Sequence, residues 1–167
     1  MIIFLVGFMG AGKSTIGQKL ARKWNVPFID TDQWIENQYS KTIQEMFAQD
    51  GEKVFRQRET EALKQISSTS GVIATGGGIV LKEENRKLLK ETGKVVFLSC
   101  DPKEMVRRLN GDQSRPLIQR LDEEGIVSLY KQRERLYKEV AHIHIDTTGL
   151  SISAAVEEVE KRIRSFS

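Results

Sequence analysis

The chain has 167 residues, of which 39% are hydrophobic and 29% are charged, so its composition excludes a disordered, collagen-like or proline-rich protein. A single cysteine, Cys100, excludes a disulfide framework and a cysteine-based zinc site. The net charge of +3 suits anionic small molecules at least as well as nucleic acid, and the length favours one domain.

The first ten residues form an apolar run, MIIFLVGFMG, that no basic residue precedes. The run continues directly into AGKST, where a secretory leader would have a cleavage site, and it is too short to span a bilayer. Residues 2–6 therefore indicate a buried strand, and we expect a cytoplasmic protein without a membrane partner.

Beyond this first strand, short apolar runs alternate with longer stretches of helical periodicity. Further strands are predicted at residues 26–29, 72–75, 95–98 and 143–145. Helices are predicted at residues 13–24, 51–68, 83–91, 102–110, 123–140 and 151–165. Thr42 and Glu45 have capping-box spacing, which marks one more helix start. Strands separated by helical crossovers favour a parallel α/β sheet with right-handed connections.

One irregular stretch, GDQSRPLIQRLD at residues 111–122, lies between two predicted helices. It is polar and contains an Arg-Pro step. A loop of this length inside a compact domain predicts a lid or a binding loop. An ordinary surface connection is the alternative.

The strongest functional signal follows the first strand. Residues 7–14, GFMGAGKS, fit the phosphate-binding P-loop pattern of glycine, any four residues, glycine, lysine and serine or threonine. The glycines let backbone amides surround phosphate oxygens, and the N-terminus of the next helix adds positive potential. Lys13 would reach the β- and γ-phosphates, and the Ser14 hydroxyl would ligate Mg²⁺. The candidate nucleotide-binding residues in this loop are Gly10, Ala11, Gly12, Lys13, Ser14 and Thr15.

Two carboxylates follow the second predicted strand, at Asp30 and Asp32. In a parallel sheet, the carboxyl end of this strand faces the same crevice as the P-loop. On an extended segment the two side chains would project to one side, where they could support Mg²⁺ and a substrate hydroxyl respectively. The alternative is that one of them is a helix N-cap before Trp34.

With these motifs in place, the chain resembles the shikimate kinase family from its first strand into its last helix. Each motif alone is modest, but their order and spacing together are specific. The motifs are the P-loop, Asp30-Thr31-Asp32, Phe55-Arg56-Gln57-Arg58-Glu59, Thr75-Gly76-Gly77-Gly78, Arg115-Pro116-Leu117 and Arg133-x-x-x-Tyr137.

The resemblance implies that the γ-phosphoryl group of ATP is transferred, with Mg²⁺, to the 3-hydroxyl of shikimate in aromatic amino-acid biosynthesis. It implies a P-loop NTPase-type three-layer α/β/α fold with a five-stranded parallel sheet in a single kinase domain over residues 1–167. A helical substrate-binding segment is expected at about residues 32–61 and a lid at about residues 111–122. The expected partners are shikimate and ATP, without nucleic acid, and the expected state is a monomer.

On the acceptor side, Arg56 and Glu59 lie three residues apart, so on a helix the carboxylate can orient the guanidinium. The resemblance assigns Arg56 and Arg133 to the carboxylate of shikimate, a natural target for a bidentate guanidinium. It assigns the backbone amide of Gly77 to shikimate, within three glycines that permit close approach. Asp32 would hold the substrate hydroxyls and is the candidate acceptor of the transferred proton. Taken singly, Arg56 and Glu59 also fit a surface ion pair, and Arg133 fits a solvated helix face. The three glycines also fit a tight turn.

On the phosphate side, the resemblance implies that Arg115 is a lid arginine that closes on the phosphates of ATP. Asp30 would order the water shell of a magnesium ion that Ser14 ligates. Because phosphoryl transfer needs positioning and charge neutralisation, Lys13, Arg115 and Mg²⁺ are expected to stabilise the transition state. The implied catalytic residues are therefore Lys13, Asp32 and Arg115.

The chain departs from the family pattern at two places. Arg135 stands where members often carry a proline two residues before the tyrosine, which leaves the orientation of that helix open. Residues 147–150 (TTGL) occupy the region expected near adenine but contain no side chain that marks a purine pocket.

Two other functions share some of these motifs. A gluconate or nucleoside monophosphate kinase would share the P-loop, although a pair of arginines with Gly77 better suits a compact carboxylated polyol. A nucleic-acid-binding P-loop NTPase would suit the positive charge, but the basic residues are interspersed with acidic ones. His142 and His144 alternate on a short predicted strand and fit ordinary strand residues better than a metal site.

Overall fold

The computed structural model describes residues 1–109 and 122–166, and helices separate each strand from the next. The strands are Ile2–Val6 (β1), Phe28–Asp30 (β2), Gly71–Ala74 (β3), Lys94–Ser99 (β4) and Ile143–Asp146 (β5). The helices are Lys13–Trp24 (α1), Thr31–Tyr39 (α2), Ile43–Ile66 (α3), Glu83–Thr92 (α4), Pro102–Leu109 (α5), Glu123–Val140 (α6) and Ile152–Phe166 (α7).

The five strands form one parallel sheet with the order β2-β3-β1-β4-β5. The central strand is β1, where Leu5 lies opposite Ala74 of β3 and Val96 of β4. All residues of β1 are buried, as expected for a strand that is covered on both faces. The predicted five-stranded parallel sheet is therefore confirmed.

Successive residues of β1 pack into two separate apolar cores, one on each face of the sheet. Phe4 and Val6 belong to the core that joins the sheet to α2, α3, α4, α5 and α6. Ile3 and Leu5 belong to the core that joins it to α1 and α7. This alternation follows from the two-residue period of a strand, and it confirms the three-layer α/β/α fold.

The predicted elements differ from the structure mainly around β2. Helix α2 lies in a segment that periodicity did not mark as helical, and it begins at Thr31 because the side chain of Asp30 accepts a hydrogen bond from Gln33 N (3.2 Å). The expectation that Asp30 and Asp32 share one side of an extended segment is therefore wrong. The strand itself covers residues 28–30 rather than 26–29, since Asp30 still pairs with Ala74.

Helix α3 begins earlier than the predicted helix at residues 51–68. The capping box at Thr42 starts it, with Glu45 N donating to the Thr42 hydroxyl over 3.0 Å. A kink divides the helix at Gly51, whose φ of 85° lies in the left-handed region. The predicted start at Gly51 thus marks the kink between two helical segments.

The two histidines bond to the neighbouring strand β4, and the single cysteine is buried. His142 Nδ1 accepts from Val95 N (2.9 Å), and His144 Nε2 lies 2.8 Å from the Ser99 hydroxyl. Burial raises the pKa of Cys100 to about 11, so its thiol stays protonated at neutral pH. The contacts of His142 and His144 agree with the interpretation of both as ordinary structural residues.

Within residues 1–109 and 122–166, no helix combines the length and the apolar character that crossing a membrane would require.

Candidate active site

A crevice of about 380 Å³ lies where β1, β2 and β3 end, at the carboxyl edge of the sheet. It brings together most of the residues that the sequence predicts for the site. Those that line it are Gly10, Gly12, Lys13, Ser14, Thr15, Asp30, Asp32, Arg56, Gly77 and Arg133. Ala11 is buried in the apolar core under the loop instead, and Arg115 lies outside the described residues, as does most of the predicted lid.

The P-loop needs glycine at its first position because two backbones meet there. Gly7 has a φ of 151°, and a Cβ at this position would lie 2.4 Å from the carbonyl oxygen of Leu98 on β4. Gly12, with a φ of 89°, turns the chain into α1 in the left-handed region. The loop therefore packs closely on the sheet and presents the N-terminus of α1 to the crevice, which favours an anion.

The side chain of Lys13 lies under this loop, with only 9% of its surface exposed. Its Nζ donates hydrogen bonds to the carbonyl oxygens of Gly7 (2.6 Å) and Phe8 (2.9 Å). These carbonyls compensate the buried ammonium and fix its position. A phosphate bound in the loop would therefore meet a cation that is already in place.

Ser14 and Asp30 form a pair of oxygen donors beside the loop, because the Ser14 hydroxyl donates a hydrogen bond to the Asp30 carboxylate. Hard oxygen donors of this kind suit Mg²⁺, which usually keeps several waters and takes further ligands from substrate phosphates. In the part of the chain that the structure describes, no group of three or more acidic, histidine or cysteine side chains could hold a metal. The pair fits an ion shared with a nucleotide.

Asp30 also caps α2, so the N-cap alternative applies to Asp30 and not to Asp32. Asp32 lies in the first turn of α2 and lines the crevice.

Two guanidinium groups lie at the other end of the crevice. Arg133 is 3% exposed, and no described residue accepts a hydrogen bond from its Nε or Nη1. Arg56 pairs with Glu59 (Nη1 to Oε1, 3.0 Å), but its Nε likewise has no hydrogen-bond acceptor among the described residues. Burying a cationic donor without a hydrogen-bond acceptor costs free energy, and a bound anion would supply the missing acceptors. This end of the crevice is therefore suited to an anion with two oxygens.

Glu59 is a carboxylate buried between these charges, with 1% of its surface exposed. Burial raises its pKa to about 7, and the charge of Asp32 acts in the same direction. The charges of Arg56 and Arg133 oppose that rise. Glu59 therefore changes its charge near neutral pH, directly beside the guanidinium of Arg56.

The three glycines after β3 are surrounded by functional side chains. A Cβ on Gly76 would lie 2.6 Å from Asp32 Oδ1, and a Cβ on Gly78 would lie 2.2 Å from Arg56 Nη1. A Cβ on Gly77 would lie 3.6 Å from Arg133 Nη1. Side chains at the first two positions would displace groups of the site, which is a physical reason for glycine there.

The departure from the family pattern at Arg135 leaves α6 undisturbed. Arg135 is exposed, whereas Arg133 and Tyr137 are buried on the inner face of the same helix.

Sequence reasoning did not single out Arg108, whose Nη1 donates to the carbonyl oxygen of Gly10 in the P-loop (3.0 Å). Its guanidinium is also paired with Glu104 on α5 (2.8 Å). No signal in the sequence marks this contact, because an arginine with an acidic residue four positions away is typical of any solvated helix.

Comparisons with known proteins identify the family of this chain. A model of the family described as shikimate kinase matches residues 9–164. The shikimate kinase of Bacillus cereus is 45% identical over 161 residues, which cover 96% of this chain and 97% of that protein. The shikimate kinase of Enterococcus faecalis is 39% identical over 164 residues, which cover 97% and 98% respectively.

A solved structure shows the same fold. The shikimate kinase from Acinetobacter baumannii, in complex with shikimate, matches with a TM-score of 0.94 and 38% identity, covering 98% of this chain and 93% of that one. The family match, the near-complete coverage and the shared fold agree with the order of motifs along the sequence. This chain therefore belongs to the shikimate kinase family.

Proposed function

We propose that this protein transfers the γ-phosphoryl group of ATP to the 3-hydroxyl of shikimate, giving 3-phosphoshikimate and ADP. One observation supports this most directly. A P-loop with a buried lysine and a pair of arginines with unused donors face the same crevice. That arrangement suits a nucleoside triphosphate at one end and a small carboxylate at the other.

At the phosphate end, the amides at the start of α1 and the Lys13 ammonium bind the β- and γ-phosphates. Ser14 and, through water, Asp30 would hold a magnesium ion, which when bound neutralises phosphate charge. Lys13 is held by two carbonyls before substrate arrives, so little reorganisation is needed to stabilise charge on the transferring group.

At the acceptor end, Arg56 and Arg133 bind the carboxylate of shikimate, and the Gly77 amide contacts the substrate. Asp32 orients the reacting hydroxyl. The hydroxyl oxygen forms the new bond to phosphorus while the bond from phosphorus to the β–γ bridging oxygen breaks, and ADP leaves with that electron pair. Asp32 is the candidate acceptor of the hydroxyl proton.

The other parts of the proposal concern organisation. We infer a single kinase domain, in which residues 32–61 bind shikimate and residues 111–122 form a lid that brings Arg115 to the phosphates. Helices α2 and α3 support the first assignment, because they supply Asp32 and Arg56. A monomer in the cytoplasm is the expected state.

A coupled assay of ADP formation tests the function. We expect ADP formation with ATP, Mg²⁺ and shikimate, and little with gluconate or nucleoside monophosphates in its place. The physical reason is that the arginine pair with Gly77 suits a compact carboxylated polyol, whereas gluconate is an open-chain acid and a nucleoside monophosphate is a larger molecule that presents a phosphate. Shikimate-independent ADP formation, or a preference for one of the other acceptors, would contradict the proposal.

Proton uptake on binding shikimate is a second expectation. Glu59 has a pKa of about 7 in the free protein, and the bound anion adds negative charge nearby, which raises that pKa further. Near pH 7 a fraction of a proton is therefore taken up, and affinity falls as the pH rises through about 7. Below about pH 5 Glu59 is already protonated, so its contribution to the uptake vanishes there.

Calorimetry in buffers with different ionisation enthalpies measures this proton uptake. Glu59→Gln removes the titrating group, so binding heats in that variant should no longer depend on the buffer near neutral pH. Heats that are independent of the buffer in the unmodified protein would show that Glu59 does not respond to the substrate.

A further inference from the structure

The glycine run 76–78 connects the parts of the acceptor site. Asp32 lies against Gly76, Arg133 is close to Gly77, and Arg56 lies against Gly78. Glycine is the most permissive residue for the backbone, so three in succession have little intrinsic preference for one shape. Contacts from elsewhere in the fold must hold this run in a defined conformation.

The first such contact comes from Thr31, the first residue of α2. Its hydroxyl accepts a hydrogen bond from Gly76 N over 2.9 Å, and its side chain is only 1% exposed. Thr31 stands between Asp30 and Asp32, so this bond fixes the start of the glycine run relative to both carboxylates.

The second contact comes from Tyr137 on α6. Its hydroxyl donates to the carbonyl oxygen of Gly77 over 2.5 Å, and its ring is fully buried and stacked on Phe97 with centroids 5.2 Å apart. Burial raises the pKa of Tyr137, while the charge of Arg133 and a hydrogen bond with it oppose that rise. The phenol therefore remains a hydrogen-bond donor at neutral pH, and Arg133 lies one helical turn away on the same helix.

We propose that the hydroxyls of Thr31 and Tyr137 clamp the glycine run and are positioning residues for shikimate, an inference that rests on the proposed function. Neither residue is among those that line the described crevice, so both act through the groups they hold. Thr31 sets Gly76 against Asp32, and Tyr137 sets the Gly77 peptide beside Arg133. The clamp therefore keeps a fixed distance between Asp32, which is assigned to the substrate hydroxyl, and Arg133, which is assigned to the substrate carboxylate.

Two near-isosteric variants test the clamp, Thr31→Val and Tyr137→Phe. Each removes one hydroxyl and leaves a buried backbone group without its partner, so we expect the Kd and KM for shikimate to rise about tenfold. The KM for ATP should stay within about twofold, because the P-loop is untouched. Thr31→Ser keeps the hydroxyl and should restore most of the affinity.

Tyr130→Phe is the matched control, since Tyr130 is also buried on α6 but packs on Phe8. It should leave the KM for shikimate within about twofold. In an Arg133→Ala background, Tyr137→Phe should change kcat/KM less than in the unmodified protein, because the two residues act together.

Unchanged shikimate affinity in Thr31→Val and Tyr137→Phe, or equal losses for shikimate and ATP, would overturn the clamp. If circular dichroism shows that Tyr137→Phe does not fold, the clamp is tested by the shikimate affinities of Thr31→Val and Thr31→Ser. An unmodified protein without shikimate-dependent ADP formation would refute the proposed function instead, so the two failures are distinguishable.

Discussion

Replacement of Lys13 by alanine is expected to lower the turnover number by about a hundredfold to a thousandfold, the cost typical of losing one preorganised donor at a developing charge. The Lys13 ammonium is almost fully buried and is held by the carbonyls of Gly7 and Phe8. We therefore expect it to act as a fixed charge that a mobile surface cation would not replace. The measurement is kcat from initial rates of ADP formation at saturating ATP and shikimate.

Lys19→Ala is a matched control for this variant, because Lys19 lies on the same helix and is exposed to solvent. It should retain a turnover number close to that of the unmodified protein. Lys13→Ala also leaves the two carbonyls without their donor, so its thermal unfolding is followed alongside the kinetics. A folded Lys13→Ala protein with nearly normal kcat would show that Lys13 does not stabilise the transferring phosphoryl group.

The P-loop and the central sheet were predictable because local sequence determines them. The buried run at residues 2–6 and the glycines at 7, 10 and 12 specify a strand, a tight turn and a helix N-terminus without help from distant residues. The strand–helix alternation then limits the topology to a parallel sheet. For the same reason, the position of the crevice at its carboxyl edge follows from the sequence.

Contacts between distant residues could not be predicted in this way. The pattern of residues 31–39 is only weakly amphipathic, and the helix there depends on the cap that Asp30 provides. The burial of Glu59, which raises its pKa, arises where α3 packs against the glycine run, and no local sequence pattern predicts it. The bond from Tyr137 to Gly77 joins residues that are 60 positions apart.

Substitution of Arg133 by alanine is expected to raise the KM for shikimate at least about thirtyfold, with the KM for ATP nearly unchanged. Truncating one member of a buried charged pair typically costs about 2 kcal/mol or more, which corresponds to that factor. Arg133 is a buried charged group of this kind, and its Nε and Nη1 have no hydrogen-bond acceptor among the described residues. We therefore expect these donors to bind the substrate carboxylate.

Two further variants on α6 make this test selective for the guanidinium. Arg133→Lys keeps the charge but loses the planar fork, so it should recover only part of the affinity. Arg135→Ala removes a neighbouring exposed arginine and should leave both KM values unchanged, since surface charges contribute little to a site they do not face. Steady-state kinetics with each substrate varied in turn separate the two KM values. If Arg133→Ala weakened shikimate and ATP equally, the residue would support the crevice as a whole, and its assignment to the carboxylate would be wrong.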